Sequence, residues 1–304
     1  ANAKGSVTTT ITNITGSLGD FYGGVYYGDV EGKITNTITG AGKNLRDPSY
    51  FHGGSFRGNI GVMGSQGPAG TVRPDIIVND VDTSGFSTGG GPRAMAGGNG
   101  GMAITRNAGG NGTIVGNIVN TFSAGPSPTQ GGFYYFYGGG GINIDRGTTS
   151  TLSTTSFDGY ATADERAAAF RQKAVYIVYG DVTTEVKKGS ASHGSADEDY
   201  GRGAGYVGYY EGNITINFGT EDFCYSGSRP SDLGYRPSPT AAASRSVYDS
   251  GWSIVAGGAH ATSDPDIYLR GDPLLIFVNA HTAQLATVPC CLSSASFAAS
   301  IFLS

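Results

Sequence analysis

Apolar residues recur at alternate positions in short runs along this chain, and glycine leads each run. The unit is Gly-x-apolar-x-Gly-x-apolar. It reads Gly28-Asp-Val30-Glu-Gly32-Lys-Ile34, Gly54-Ser-Phe56-Arg-Gly58-Asn-Ile60, Gly112-Thr-Ile114-Val-Gly116-Asn-Ile118 and Gly208-Tyr-Tyr210-Glu-Gly212-Asn-Ile214. Looser copies begin at Gly5, Gly70 and Gly180. A period of two is strand chemistry, because successive side chains face opposite sides of a sheet. Recurrence along the chain predicts one strand unit stacked on itself. The expected architecture is all-β: a parallel β-helix (β-solenoid) over residues 1–284. Val30, Phe56, Ile114, Val182 and Tyr210 are expected to share one inward column. Ile34, Ile60, Ile118, Val186 and Ile214 form a second.

Longer matches extend the unit. Residues 28–37 align without gaps to residues 112–121, which puts Asn36 and Asn120 at one offset. Counting from Gly5 puts Asn13 there as well. The three are expected to be buried at equivalent corners, their amides bonding along the stack as Asn ladders do in cross-β assemblies. Aromatic-Gly-Gly elements, Phe21 to Gly24 and Phe51 to Gly54, accompany the copies.

Two stretches break the pattern. Thr162-Ala-Asp-Glu165 is a capping box before an Ala-rich run, so one short inserted helix is expected around 160–175. Residues 226–250 hold Pro230, Pro237 and Pro239 among many Ser and Ala, and read as a surface loop.

Composition narrows the function classes. Of 304 residues 52 are Gly, without a strict Gly-X-Y period, which excludes collagen. Aromatics at 11% supply enough apolar surface to exclude a wholly disordered chain. The net charge is −5 and the basic residues are scattered, so a nucleic-acid partner is excluded. The three cysteines, Cys224, Cys290 and Cys291, lack metal-type spacing, and Cys224 with one of the vicinal pair is the more natural bridge. Low Lys with abundant Thr, Ser, Gly and Tyr fits an exported protein in an extracellular or cell-surface setting. Residues 285–304 carry no Asp, Glu, Lys or Arg. They are expected to form a closing or subunit-contact segment, in preference to a membrane anchor.

These motifs resemble the Gly-rich repeats of bacterial cell-surface and secreted β-helix proteins. The resemblance covers residues 5–219 and, more faintly, 251–280, and lies in repeat style, with no signature residues to carry over. It implies export and a role in adhesion or surface structure.

Candidate chemistry is sparse. A glycan-cleaving β-helix needs carboxylates clustered across adjacent copies. Asp181 and Glu211 are the acids that fall on neighbouring copies, with Tyr209 beside them as a sugar platform. Asn79-Asp80-Val-Asp82-Thr-Ser84 resembles the start of a calcium loop, with Asp80, Asp82 and Ser84 as oxygen ligands, but its twelfth position holds Gly91 instead of Glu. No nucleophile elbow or His-x-x-x-His spacing occurs. The expected function is a non-catalytic structural or adhesive protein without a cofactor, which self-associates. The alternative is a module that binds or cleaves polysaccharide, with surface glycans as partners.

Overall fold

The computed structural model describes residues 2–13, 19–39, 50–67, 71–83, 85, 94–100, 112–123, 135–140, 162–174, 176–188, 201–205, 208–218, 233–236, 244–249, 252–255, 267–269 and 273–277. The three cysteines, residues 285–304 and Ser84 lie outside the described residues.

The chain is mostly β, with parallel sheets and a single helix among the described residues. The first sheet has seven strands, ordered β1 (Val7–Thr12), β3 (Ile34–Thr39), β5 (Asp75–Asp82), β8 (Asn117–Ser123), β11 (Val182–Lys188), β14 (Ile214–Phe218) and β19 (Pro273–Phe277), all parallel. The second is β7 (Gly112–Ile114), β10 (Tyr176–Val178), β13 (Gly208–Tyr210) and β18 (Ile267–Leu269). Single parallel bridges from Ala3 to Val30, Val30 to Ile60 and Ile60 to Ile114 continue it toward the N-terminus. The third runs through β2 (Phe21–Tyr22), β4 (Tyr50–His52), β6 (Ala94–Ala96), β9 (Tyr135–Tyr137), β12 (Gly201–Arg202) and β17 (Trp252–Val255). From β2 onward each pass of the chain visits the third sheet, then the second, then the first.

Alternation decides which side chains are inside. Along β3 the odd positions Ile34, Asn36 and Ile38 are buried, and the Thr residues between them are half-buried. Register then builds columns. Val30, Ile60, Ile114, Val178 and Tyr210 line one, and Ile34, Ile77, Ile118, Val182 and Ile214 line the next; all are buried. Each such side chain contributes about 1.5–3 kcal/mol relative to exposure.

These columns correct the register expected above. Val30 stacks on Ile60, not on Phe56, and Phe56 is only half-buried. Val182 stacks on Ile118 and Ile214, and so belongs to the second column. The cause is that Gly-x-apolar is itself half of the unit, so a slip of four residues leaves the pattern unchanged.

An Asp or Asn directly after a glycine of the unit has its own task. Asp29 Oδ1 accepts from the Asn59 N–H at 2.8 Å, and Asn59 Oδ1 accepts from the Thr113 N–H at 3.0 Å. At the other half of the unit Asn117 Oδ1 accepts from the Asp181 N–H at 3.0 Å, and Asp181 Oδ1 from the Asn213 N–H at 2.8 Å. In these two stacks a short carboxyl or carboxamide side chain thus satisfies the next pass's backbone donor. At Gly58 the backbone has φ +151°, and a Cβ would lie 1.6 Å from the Gly28 carbonyl oxygen. Only glycine allows so close an approach of backbone to backbone.

A buried polar ladder runs through the interior. Asn36 Nδ2 donates to Asn79 Oδ1 at 2.8 Å, Asn79 Nδ2 to Asn120 Oδ1 at 2.8 Å, and Asn120 Nδ2 to Thr184 Oγ1 at 3.0 Å. The second N–H of each amide goes to the carbonyl of Gly53, Gly97 or Gly138. The rungs sit mid-strand instead of at a corner. Asn13 stands apart: it is exposed, with φ +53°, just past the end of β1. Thr9 occupies the register beside Asn36. The same four-residue slip is responsible, since Gly5 packs on Gly32 and not at the level of Gly28.

The helix α1 (Ala163–Lys173) begins at the capping box: Glu165 N–H donates to Thr162 Oγ1 and Thr162 N–H to Glu165 Oε2, each at 3.1 Å. Ala167 and Ala174 pack with Ile177 and Tyr209. Part of the expected loop at 226–250 is a hairpin instead: β15 (Leu233–Arg236) pairs antiparallel with β16 (Ser244–Asp249), which pairs antiparallel with β17.

Candidate functional site

The acids expected to cooperate are held in different stacks. Asp181 is exposed and lies in the Asn117–Asp181–Asn213 corner ladder. Glu211 is buried, and its N–H bonds the Val178 carbonyl, as the Tyr179 N–H bonds that of Ile114 one pass earlier. Glu211 therefore follows Tyr179 in its stack, and Asp181 follows Asn117. Tyr209 is fully buried against the α1 alanines and donates its hydroxyl to Glu211 Oε2. Its ring is closed to a sugar.

Asp80 and Asp82 lie on the outward row of β5, and Asn79 on the inward row. An extended strand sends neighbouring side chains to opposite faces, so the calcium-loop curl is not formed over 79–82. Among the described residues no three His, Cys, Asp or Glu side chains gather around one point.

Arg73 is a buried charged residue. Its guanidinium donates to the carbonyls of Tyr179 and Gly67 and lies 5.8 Å from the Tyr179 ring centroid. It ties the turn before β5 to the turn after β10.

A different feature stands out on the surface. Gly24-Val25-Tyr26-Tyr27-Gly28 lies over Gly54-Ser55-Phe56-Arg57-Gly58, held by the Phe56 N–H to the Val25 carbonyl and the Arg57 N–H to that of Tyr26, both 3.1 Å. Equivalent side chains of consecutive passes then fall at strand spacing, about 4.8 Å, which is also the spacing at which flat rings stack. Tyr26 and Phe56 stack with centroids 4.6 Å apart at 9°. Tyr22 stacks on His52 at 4.8 Å and 8°, and Phe21 on Phe51 at 5.2 Å and 5°. Tyr27 meets Tyr26 and Phe56 edge-on at 4.8 and 5.4 Å, and Tyr22 meets both of those rings edge-on as well. Arg57 places its guanidinium carbon 5.3 Å from the Phe56 centroid.

This corner grades from buried to open. His52 is wholly buried, and burial pushes its imidazole down to about 3. Burial raises the Tyr22 phenol to about 12, with help from the Asp20 carboxylate and then from Tyr26 and Tyr27. Tyr26 and Tyr27 are 57% and 53% exposed. The signal was legible as the aromatic runs Phe21-Tyr22 and Tyr26-Tyr27. It was missed because aromatic-Gly-Gly reads as a repeat marker before it reads as a surface.

No protein-family model matches the chain, and no curated protein or solved structure matches it either. Among the described residues no helix is long and apolar enough to cross a membrane.

Proposed function

We propose that this chain is a parallel β-solenoid that serves as an extracellular structural or adhesive element, without catalysis of its own, and that assembles with further copies. The observation that carries this is the continuous ladder Asn36–Asn79–Asn120–Thr184 inside sheets of parallel strands. Buried amides bonded to one another from pass to pass fix register and make a stiff rod. A rod suits display and spacing, and the likeness of its Gly-rich motifs to bacterial surface repeats points the same way. Asp181 and Glu211, the acids that a glycan-cleaving reading needs, are engaged in separate stacks, which favours the non-catalytic reading.

Self-association is supported by β1. Among the described residues no strand pairs with its outer edge, and its inward Val7, Thr9 and Ile11 are only half-buried. An open strand edge with partly uncovered apolar groups invites another strand. Negative-stain micrographs and sedimentation of the purified chain test the proposal. Narrow rods, or filaments of them, are the expected result. Compact monomers of low axial ratio would overturn it.

A further inference from the structure

We propose that the Tyr26–Tyr27 corner is a binding platform for a neutral polysaccharide. The inference takes from the proposed function only the stacked fold, not the structural role. Tyr26 and Tyr27 expose more than half of their surface, yet Tyr26 packs on Phe56 and Tyr22, and Tyr27 packs on Tyr26 and Phe56. Exposed aromatics in such a cluster mark an interaction site more often than chance. Because neighbouring rings already hold them, little side-chain entropy is lost when a ligand arrives.

The chemistry of the corner selects the ligand. A tyrosine offers a flat apolar face and a polar hydroxyl edge. A pyranose ring offers the counterpart, an apolar C–H face and a rim of hydroxyls. Two tyrosine rings match one or two sugar units, and fall far short of the roughly 800 Å² per partner that a stable protein interface buries. Charge removes the other stacking ligands. Asp20 is exposed beside Tyr22 and the chain carries −5, so a nucleic acid or a uronic-acid polymer would meet repulsion. Arg57 is half-buried, and its guanidinium lies against the Phe56 ring. Tyr26 lies flat on Phe56 and Tyr27 meets both rings edge-on, so the corner is a platform and not a cage for a cation.

The test is affinity electrophoresis of the full chain through gels containing β-glucan, xylan or galactomannan, with polygalacturonate as the charged control. Retardation by at least one neutral polymer is expected, with at least a tenfold weaker apparent affinity in Tyr26→Ala/Tyr27→Ala. The Tyr27→Phe variant should keep most of the retardation, since the ring face remains. Thermal melting of each variant separates lost binding from lost folding. No retardation by any neutral polymer, or retardation unchanged in the double variant, would overturn the platform. So would retardation by polygalacturonate alone, or a fall in sedimentation coefficient in the double variant without any glycan effect, which assigns the corner to copy-to-copy contact. Rods without glycan binding defeat this site alone, whereas glycan binding by compact monomers defeats the rod proposal alone.

Discussion

The Asn36 side chain donates one N–H to Asn79 Oδ1 and the other to the Gly53 carbonyl, both at 2.8 Å, in a part of the core closed to water. Asn79 repeats the arrangement one pass further on. Replacing Asn79 therefore takes one bond from each of three groups, Asn36, Asn120 and the Gly97 carbonyl, whereas replacing Asn36 takes one from each of two, Asn79 and the Gly53 carbonyl. Asn36→Leu is expected to destabilise by about 1–3 kcal/mol and Asn79→Leu by more, since each orphaned buried group costs on that order. Urea denaturation of the two variants measures the difference. Equal midpoints to the parent chain would mean that the ladder does not hold the stack together.

The ladder ends with a spare acceptor. Asn36 Oδ1 is buried and bonds no partner among the described residues, and Thr9 stands at the neighbouring register on β1. A Thr9→Asn variant would place an amide where Asn36 expects one, adding a rung. Stability should rise by about 0.5–1.5 kcal/mol, the usual net value of such a bond. The check is the denaturation midpoint, together with slower hydrogen exchange at the β1 and β3 amides. A lower midpoint would show that Thr9 cannot be replaced without disturbing β1.

Strand identity and two rungs of the polar ladder, Asn36 and Asn120, were legible in the sequence because both follow from alternation, whereas Asn79 and Thr184 were missed as rungs because neither falls at the offset of a matched copy. Ile34, Asn36 and Ile38 announce one buried face by spacing alone, and the Thr162–Glu165 box announces the helix start. Stacking register was not legible. The pairing of Val30 with Ile60, and the exclusion of Asn13 from the ladder, depend on which half of a self-similar unit begins each pass. Composition cannot break that tie. What breaks it is three-dimensional: Gly58 must sit under the Gly28 carbonyl, and Asp29 must reach the Asn59 N–H. The aromatic runs were legible too, but the stacking of Tyr26 on Phe56 follows only from the correct register.

Glycine content follows from the ladder as well. A Cβ on Gly53 would lie 2.2 Å from Asn79 Nδ2, and one on Gly97 would lie 2.4 Å from Asn120 Oδ1. Gly19 meets nothing within 4 Å and is not at positive φ. Gly53→Ala and Gly97→Ala should each cost about 1–3 kcal/mol, the range for forcing extra volume into a packed interior. Gly19→Ala should be neutral or slightly stabilising. Thermal melting of the three variants decides the matter, and uniform tolerance would separate the aromatic-Gly-Gly elements from the ladder.

His52 gives the stack an acid-sensitive point. Its ring stacks on Tyr22 and lies beside Tyr50 of its own strand, and its nitrogens bond no partner among the described residues. Burial lowers its pKa from 6.5 in the unfolded chain to about 3 in the native one. Between those values the unfolded chain binds a proton that the native chain refuses, so stability falls as pH drops from about 6.5 toward 3. The slope for this group is at most about 1.4 kcal/mol per pH unit. His52→Phe keeps a flat ring in the stack and removes the titration. Its melting temperature should fall less steeply than that of the parent between pH 7 and 4. Parallel pH profiles would mean that His52 is protonated in the folded state.

Asp181 and Glu211 are the residues on which a cleaving function would have to rest. Asp181 Oδ1 is occupied by the Asn213 N–H, and Glu211 accepts the Tyr209 hydroxyl within a buried contact. Asp181→Asn keeps an oxygen in place for Asn213 and should melt as the parent does. Asp181→Ala removes that acceptor at an exposed corner where water can replace it, and should cost about 1 kcal/mol or less. Glu211→Gln retains an acceptor for Tyr209, so it is expected to fold. The parent and all three variants are expected to release no reducing ends from β-glucan, xylan or galactomannan. Release by the parent that Asp181→Asn or Glu211→Gln abolishes, with folding intact, would show that separate stacking does not keep the two carboxylates from acting together. It would replace the structural role with a catalytic one.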